Sequence, residues 1–261
     1  MFKEMYDIRE DAKLNPDAIR GTYDHDYIRT GQDDAVAFGH HGDDYIRGGR
    51  GDDILIGNTG DDILAGGTGD DVIYGGVGQD TLRGGAGNDK LIASVDDLMV
   101  AGGKGFDTVY VRAESNGDNF FDLVSQARAV ESIVGHGVED VYANVSLANI
   151  LFQSQDDGNE STPDTDNTFI AVGLEGLSLE GHWRFMEEGE LQFTSAEVSD
   201  EQEDAYIEML GLSYVREGAI DLQAYTFGTG EDAVTIITDL SASEITVGGE
   251  SLAEMSDTMP V

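Results

Sequence analysis

The sequence predicts an all-β protein: a parallel coil of short strands over residues 21–110, followed by a mostly β C-terminal domain that carries one helix. Three observations predict it. A nine-residue phrase recurs without insertion from residue 21 to 110, an apolar residue stands at its eighth position, and further on short β-branched and aromatic runs surround a single helical segment.

The phrase is plainest from Gly48, where "GGRGDDILI", "GNTGDDILA", "GGTGDDVIY", "GGVGQDTLR" and "GGAGNDKLI" follow one another. The same register gives "GTYDHDYIR" from Gly21, "TGQDDAVAF" from Thr30, "GHHGDDYIR" from Gly39, "ASVDDLMVA" from Ala93 and "GGKGFDTVY" from Gly102. Eight of these ten units carry Asp at the sixth position: Asp26, Asp44, Asp53, Asp62, Asp71, Asp80, Asp89 and Asp107; Ala35 and Leu98 hold the other two. A solvated Gly- and Asp-rich loop would not keep an apolar residue at every eighth position.

Each position has a physical task. Glycines at the first, second and fourth places permit positive φ and let carbonyls crowd round a point. The Asp adds a hard anionic oxygen, and carbonyl and carboxylate oxygens without His, Cys or Met suit Ca²⁺ rather than zinc or copper. The last three residues make a strand of about 10 Å. Its eighth side chain points inward, which nominates Ile28, Ile46, Leu55, Leu64, Ile73, Leu82, Leu91 and Val109 as core.

These units resemble the RTX nonapeptide repeat, GGxGxDxUx with U a large apolar residue, and the resemblance covers residues 21–110. It implies a parallel β-roll with two units per turn, Ca²⁺ between stacked loops, and export by a type I system without a cleaved N-terminal signal. The implied ligands are the eight sixth-position carboxylates. Carbonyls join them near Gly39, Gly48, Gly49, Gly51, Gly57, Asn58, Gly60, Gly66, Gly67, Gly69, Gly75, Gly76, Gly78, Gly84, Gly85, Gly87, Gly102, Gly103 and Gly105. Stacking unit n on n+2 pairs Asp26 with Asp44, Asp44 with Asp62, Asp62 with Asp80, Asp53 with Asp71, Asp71 with Asp89 and Asp89 with Asp107. About six ions follow, with weak or empty places where the units at 30 and 93 take part.

Positions seven and nine point outward, and alternate units supply the two faces. One face carries Val36, Phe38, Ile54, Ile56, Val72, Tyr74, Ile92 and Tyr110; the other carries Tyr27, Arg29, Tyr45, Arg47, Ile63, Thr81, Arg83 and Met99. An apolar stripe of that size is rarely left in water. The expectation is that the C-terminal domain or a second copy in a homodimer covers it, leaving the Arg and Tyr face to an anionic polysaccharide or cell-surface ligand.

Fifty-three acidic against fourteen basic residues give a net charge of −39, which argues against nucleic acid as a partner. Six Ca²⁺ would still leave −27. No apolar run is long enough for a membrane span, and the absence of cysteine is compatible with an extracellular, secreted protein. One inward aliphatic contributes about 1.5–3 kcal/mol, whereas ordering nine backbones costs about 1–2 kcal/mol each. Folding of the coil is therefore expected to require the ion.

Elsewhere, residues 1–20 read as an N-terminal cap without the apolar core of a signal peptide. Residues 111–153 continue or cap the roll, 154–168 form an acidic loop or linker, and 169–261 form the C-terminal domain. Its helix is expected from Ser199 as N-cap, with Asp200, Glu201 and Glu203 in the first turn and Tyr206, Met209 and Leu210 on the apolar face. No Lys or Arg follows Arg216, which is similar to a type I export tail. None of His25, His40, His41, His136 and His182 lies in an HExxH motif, and no GxSxG, P-loop or dinucleotide fingerprint is present. The expected role is a secreted calcium-binding protein with structural, adhesive or matrix-binding duty. A polysaccharide-active enzyme with its site in residues 111–240 is the alternative, and an ice-binding module fits less well because position three is irregular.

Overall fold

The computed structural model describes residues 15–112, 120–122, 127–136, 141–146, 167–180, 186–187, 190–191, 193–210, 212, 221–229 and 233–257. The chain divides into two compact units: residues 1–114 with 125–130, and residues 115–124 with 131–261.

The first unit contains β1 (Ile19–Arg20), β2 (Tyr27–Gly31), β3 (Val36–His41), β4 (Tyr45–Arg50), β5 (Ile54–Thr59), β6 (Ile63–Thr68), β7 (Val72–Val77), β8 (Thr81–Ala86), β9 (Lys90–Ser94), β10 (Met99–Lys104) and β11 (Thr108–Arg112). Two short strands follow, β12 (Phe120–Asp122), which belongs to the second unit, and β13 (Ala127–Arg128). Strands alternate between two parallel sheets, ordered β1-β3-β5-β7-β9-β11 and β2-β4-β6-β8-β10-β13. Partners such as Ile46 and Leu64, or Leu55 and Ile73, are two units apart, so each turn of the coil consumes two phrases. The all-β parallel roll expected from the spacing is the observed fold.

The strands are longer than the expected three residues. Most run six, from position seven of one unit through position three of the next, so the first two glycines also join the ladder, the second of them at positive φ as at Gly49 (134°). The inward residues behave as expected: Ile46, Leu55, Leu64, Ile73, Leu82, Leu91 and Val109 are fully buried, and Ile28 nearly so. Ala37 and Val100 fill the same place in the two units that lack Asp at position six.

The two outer faces differ. On the first, Phe38, Ile56, Ile92 and Tyr110 are buried within the single chain, and Val36, Ile54, Val72 and Tyr74 are half-buried. Ala18 packs against this cluster, Arg20 lies over the Phe38 ring, and Arg112 lies over the Tyr74 ring and donates to its hydroxyl. The suggested homodimer through this face therefore lacks its motive, since a second copy is not needed to keep it from water. On the second face Tyr27, Arg29, Arg47, Ile63 and Arg83 are exposed.

The second unit contains β14 (Ser132–His136), β15 (Tyr142–Ser146), β16 (Thr168–Val172), β17 (Gly176–Glu180), the hairpin β18 (Met186–Glu187) with β19 (Glu190–Leu191), then β20 (Phe193–Glu197), α1 (Asp200–Met209), β21 (Gln223–Phe227), β22 (Val234–Thr238), β23 (Ile245–Val247), β24 (Glu250–Ser251) and α2 (Leu252–Asp257). β14-β16-β22 and β12-β15-β17-β23 pair in parallel, and β20, β21 and β24 add antiparallel edges. Strands on either side of residues 154–166, which lie outside the described residues, share these sheets. The helix forms where expected: Ser199 has extended φ and ψ, Glu203 N–H donates to Ser199 O, and Leu210 is buried just past the last turn. Its Ser199 hydroxyl bonds Gln202 rather than the helix backbone.

Candidate metal centre

The turns between the sheets stack along two edges. Loops 21–26, 39–44, 57–62, 75–80 and 93–98 lie along one, and loops 30–35, 48–53, 66–71, 84–89 and 102–107 along the other. Position six of each turn stands immediately before the next strand, and its carboxylate is carried inward, between its own loop and the loop stacked on it. Asp44, Asp53, Asp62, Asp71, Asp80, Asp89 and Asp107 are 0–2% exposed, while Asp26 at the first turn is only half-buried.

Each carboxylate bonds the turn one rung back. Oδ1 of Asp44 accepts from Asp26 N–H at 2.8 Å, Asp62 from Asp44 at 2.7 Å and Asp80 from Asp62 at 2.9 Å. On the other edge Asp71 accepts from Asp53, Asp89 from Asp71 and Asp107 from Asp89, at 2.8, 2.9 and 2.8 Å. All six expected pairs are neighbours. The second oxygen points back at the first glycine of its own loop. A Cβ on Gly57 would stand 2.2 Å from Asp62 Oδ2 and 2.5 Å from the carbonyl oxygen of Gly75 on the next rung, which is why glycine is required there. Gly67 at φ +132° is the second such case, its absent Cβ leaving room for the Gly49 carbonyl at 2.2 Å.

The cradle so formed holds a carboxylate oxygen against a stacked carbonyl, and the carboxylate is not satisfied by protein. Oδ2 of Asp44, Asp53, Asp62, Asp71, Asp80 and Asp89 is buried and has no hydrogen-bond partner. Such a group costs about 1–3 kcal/mol, more when charged. Burial accordingly raises each acid: Asp53 and Asp80 to about 6, Asp62 and Asp71 to about 7, Asp89 to about 8, and Asp44 by direction. Neighbouring carboxylates add to the rise at Asp62, Asp71 and Asp89, and backbone N–H donors oppose it. A divalent cation removes the whole conflict. Among the described residues no three His, Cys, Asp or Glu side chains converge, so each cradle combines carboxylates with carbonyls, an all-oxygen set that fits Ca²⁺.

A second ladder explains the Asp and Asn at position five. Asp34 Oδ1 accepts from Asp52 N–H, Asp52 from Asp70, Asp70 from Asn88 and Asn88 from Phe106, all at 2.7–2.9 Å. It runs in the opposite sense to the inner one and is mostly exposed. Two histidines belong to the same solvent-side edges: His25 Nδ1 accepts from Asp43 N–H, and His41 Nδ1 bonds Thr59 Oγ1 while its ring stacks on Tyr23. Neither joins a transition-metal cluster. His182 and Trp183 lie outside the described residues.

Residues 20–55 and 56–91 each match the family model described as the RTX calcium-binding nonapeptide repeat (4 copies). The chain carries calcium-binding RTX repeats. No curated protein and no solved structure matches the chain.

Sequence reasoning missed one carboxylate of the RTX edge. Position six of the unit at 93 is Leu98, which the structure turns outward at 61% exposure. Asp97, one place earlier, is buried in its stead, and burial raises its carboxyl to about 7. Its Oδ1 accepts from Asp80 N–H at 3.2 Å, as the other RTX carboxylates do from theirs. The "VDDLM" pair offered the signal, because a one-residue shift brings an Asp into register.

Proposed function

We propose that this is a secreted, calcium-dependent structural or adhesive protein. Its RTX roll folds on meeting extracellular Ca²⁺, and the open Arg and Tyr face then engages an anionic polysaccharide or cell-surface ligand. The observation that carries the calcium-dependent folding is the row of buried, partnerless carboxylate oxygens at Asp44, Asp53, Asp62, Asp71, Asp80 and Asp89. Without the ion each costs free energy, and one aliphatic side chain per unit does not offset the ordering of nine residues. A chain carrying −39 and lacking its ions stays expanded, which suits export before folding. No described helix is long and apolar enough to cross a membrane.

The ligand class rests on charge. Tyr27, Arg29, Tyr45, Arg47, Ile63, Ala65, Thr81, Arg83, Met99 and Ala101 hold the outward positions of β2, β4, β6, β8 and β10, and none is acidic although the chain has 53 acids. Arg29 and Arg47 sit side by side in register, and Tyr27 and Tyr45 stack at 4.9 Å.

Circular dichroism of the whole chain tests folding: β signal should appear with millimolar Ca²⁺ and be largely lost in excess chelator. A signal unchanged by chelator would sink the calcium-driven part. Retention on an immobilised acidic polysaccharide in Ca²⁺ should be lost when Arg29, Arg47 and Arg83 are all changed to Glu. Unaltered retention would sink the ligand assignment alone.

A further inference from the structure

The partnerless oxygens depart from the predicted pairs at one edge: those of Asp44, Asp53, Asp62, Asp71 and Asp89 each belong to the first member of a predicted pair, but Asp80 has one as well and Asp26 does not. Three turns at the ends of the roll carry Ser or Thr at the first or second position, where interior turns have glycine, His40 or Asn58. In the interior the second residue has positive φ, as at His40 (84°), Gly49 (134°) and Asn58 (82°); Thr22 and Ser94 do not. β-Branched and other Cβ-bearing residues resist that region, so their amides swing toward the carboxylate. Thr22 N–H and Oγ1 both donate to Asp26 Oδ2, at 2.5 and 2.9 Å. Ser94 N–H donates to Asp97 Oδ2 at 2.9 Å and Ser94 Oγ to Asp97 Oδ1 at 3.0 Å. In the unit at 30, which has no sixth-position carboxylate, Thr30 Oγ1 donates at 2.7 Å to the Gly48 carbonyl that a cradle there would use.

Loop 75–80 is different. Asp80 is fully buried, its Oδ2 has no partner, and a Cβ on Gly75 would stand 2.3 Å from that oxygen, as in every interior cradle. The rung that faces it supplies Asp97 in place of the missing position-six acid.

We propose that the ion sites of this edge are shifted by one rung: a cation binds between Asp80 and Asp97, while the Asp26–Asp44 place is closed by Thr22 and binds none. The assignment rests on the calcium reading above and deepens it. Hydroxyl and amide donors satisfy the terminal carboxylate without metal, so an ion at the first turn would have to displace two charge-assisted hydrogen bonds. The Asp80 oxygen has none to displace. This edge thus begins and ends in turns closed by their own side chains, and its ions are confined to the rungs between them.

Counting bound Ca²⁺ on the full chain by native mass spectrometry, with calorimetry alongside, tests this. Relative to wild type, Asp97→Ala should bind one ion fewer and Asp26→Ala the same number. Thr22→Gly restores the second glycine of the phrase, leaves Asp97 untouched, and should bind one more. An ion lost in Asp26→Ala and none lost in Asp97→Ala would overturn the shift, as would an unchanged count in Thr22→Gly. A wild-type chain that binds no Ca²⁺ would overturn the calcium reading itself, which separates the two failures.

Discussion

Each nine-residue phrase of the roll buries one inward apolar side chain, most bury one carboxylate, and Phe38, Ile56, Ile92 and Tyr110 add to this from an outer face. In the second unit β16 alone buries Phe169, Ile170, Ala171 and Val172, and β17 buries Leu177 and Leu179. All of the fully buried aspartates, from Asp44 to Asp107, lie in the first unit; the described residues of the second have none. Both units are built on parallel strand pairings, to which the second adds antiparallel edges, so strand geometry alone does not account for the difference. What differs is the cohesive material. A repeat with three glycines per phrase leaves a single inward slot per phrase for an apolar side chain and recovers the deficit through ion binding, whereas irregular connections in the second unit leave its strands free to carry several large apolar residues each. The partners of β14 and β16, or β15 and β17, are 38 and 34 residues apart, not eighteen.

The largest expected effect breaks the molecule along that line. In chelator, hydrogen exchange should become fast throughout residues 21–110 while the amides of β16, β17 and β22 stay protected. Equal exchange in both units would mean that they share one source of stability. Next in size, Asp71→Ala should lose two ions in calorimetry, because Asp71 stands between two rungs, its Oδ1 accepting from Asp53 N–H and its own N–H donating to Asp89 Oδ1; loss of one would show that each ion uses a single carboxylate. Phe227→Ala, at a fully buried site of the second unit, should cost about 3–5 kcal/mol. Urea unfolding followed in that unit should give the same loss with and without Ca²⁺.

The smallest effect is that of pH on the first unit. Its acids titrate at about 6 to 8 when folded without metal, against about 3.9 in an unfolded chain. The folded metal-free state therefore holds more protons, and its stability falls as pH rises from about 4 through 8. This disfavours the metal-free fold at neutral pH, so in chelator the roll's β signal should recover in part as pH is lowered from about 8 toward 5, read by circular dichroism. No comparable shift of the second unit's stability is expected over the same range.

The nine-residue period determined by itself the inward aliphatics, because a strand period of two and a constant phrase length fix which side chain faces the core. The two-unit turn was implied by the resemblance to the RTX repeat, and the six carboxylate neighbours and the two unlike faces follow once that stacking is combined with the period. Four things were decided only by the tertiary structure. Strands run through the first glycines, because stacking on the next rung brings them into the ladder. Asp97 replaces Leu98, since the turn at 93 lacks the glycines that hold the other turns in one shape. Thr22, Thr30 and Ser94 close their turns, because a hydroxyl's partner depends on where the backbone turns it and not on spacing. The parallel pairing of the second unit was hidden because its partners are separated by unequal lengths of chain, and only burial of their apolar faces against one another selects which strand lies beside which.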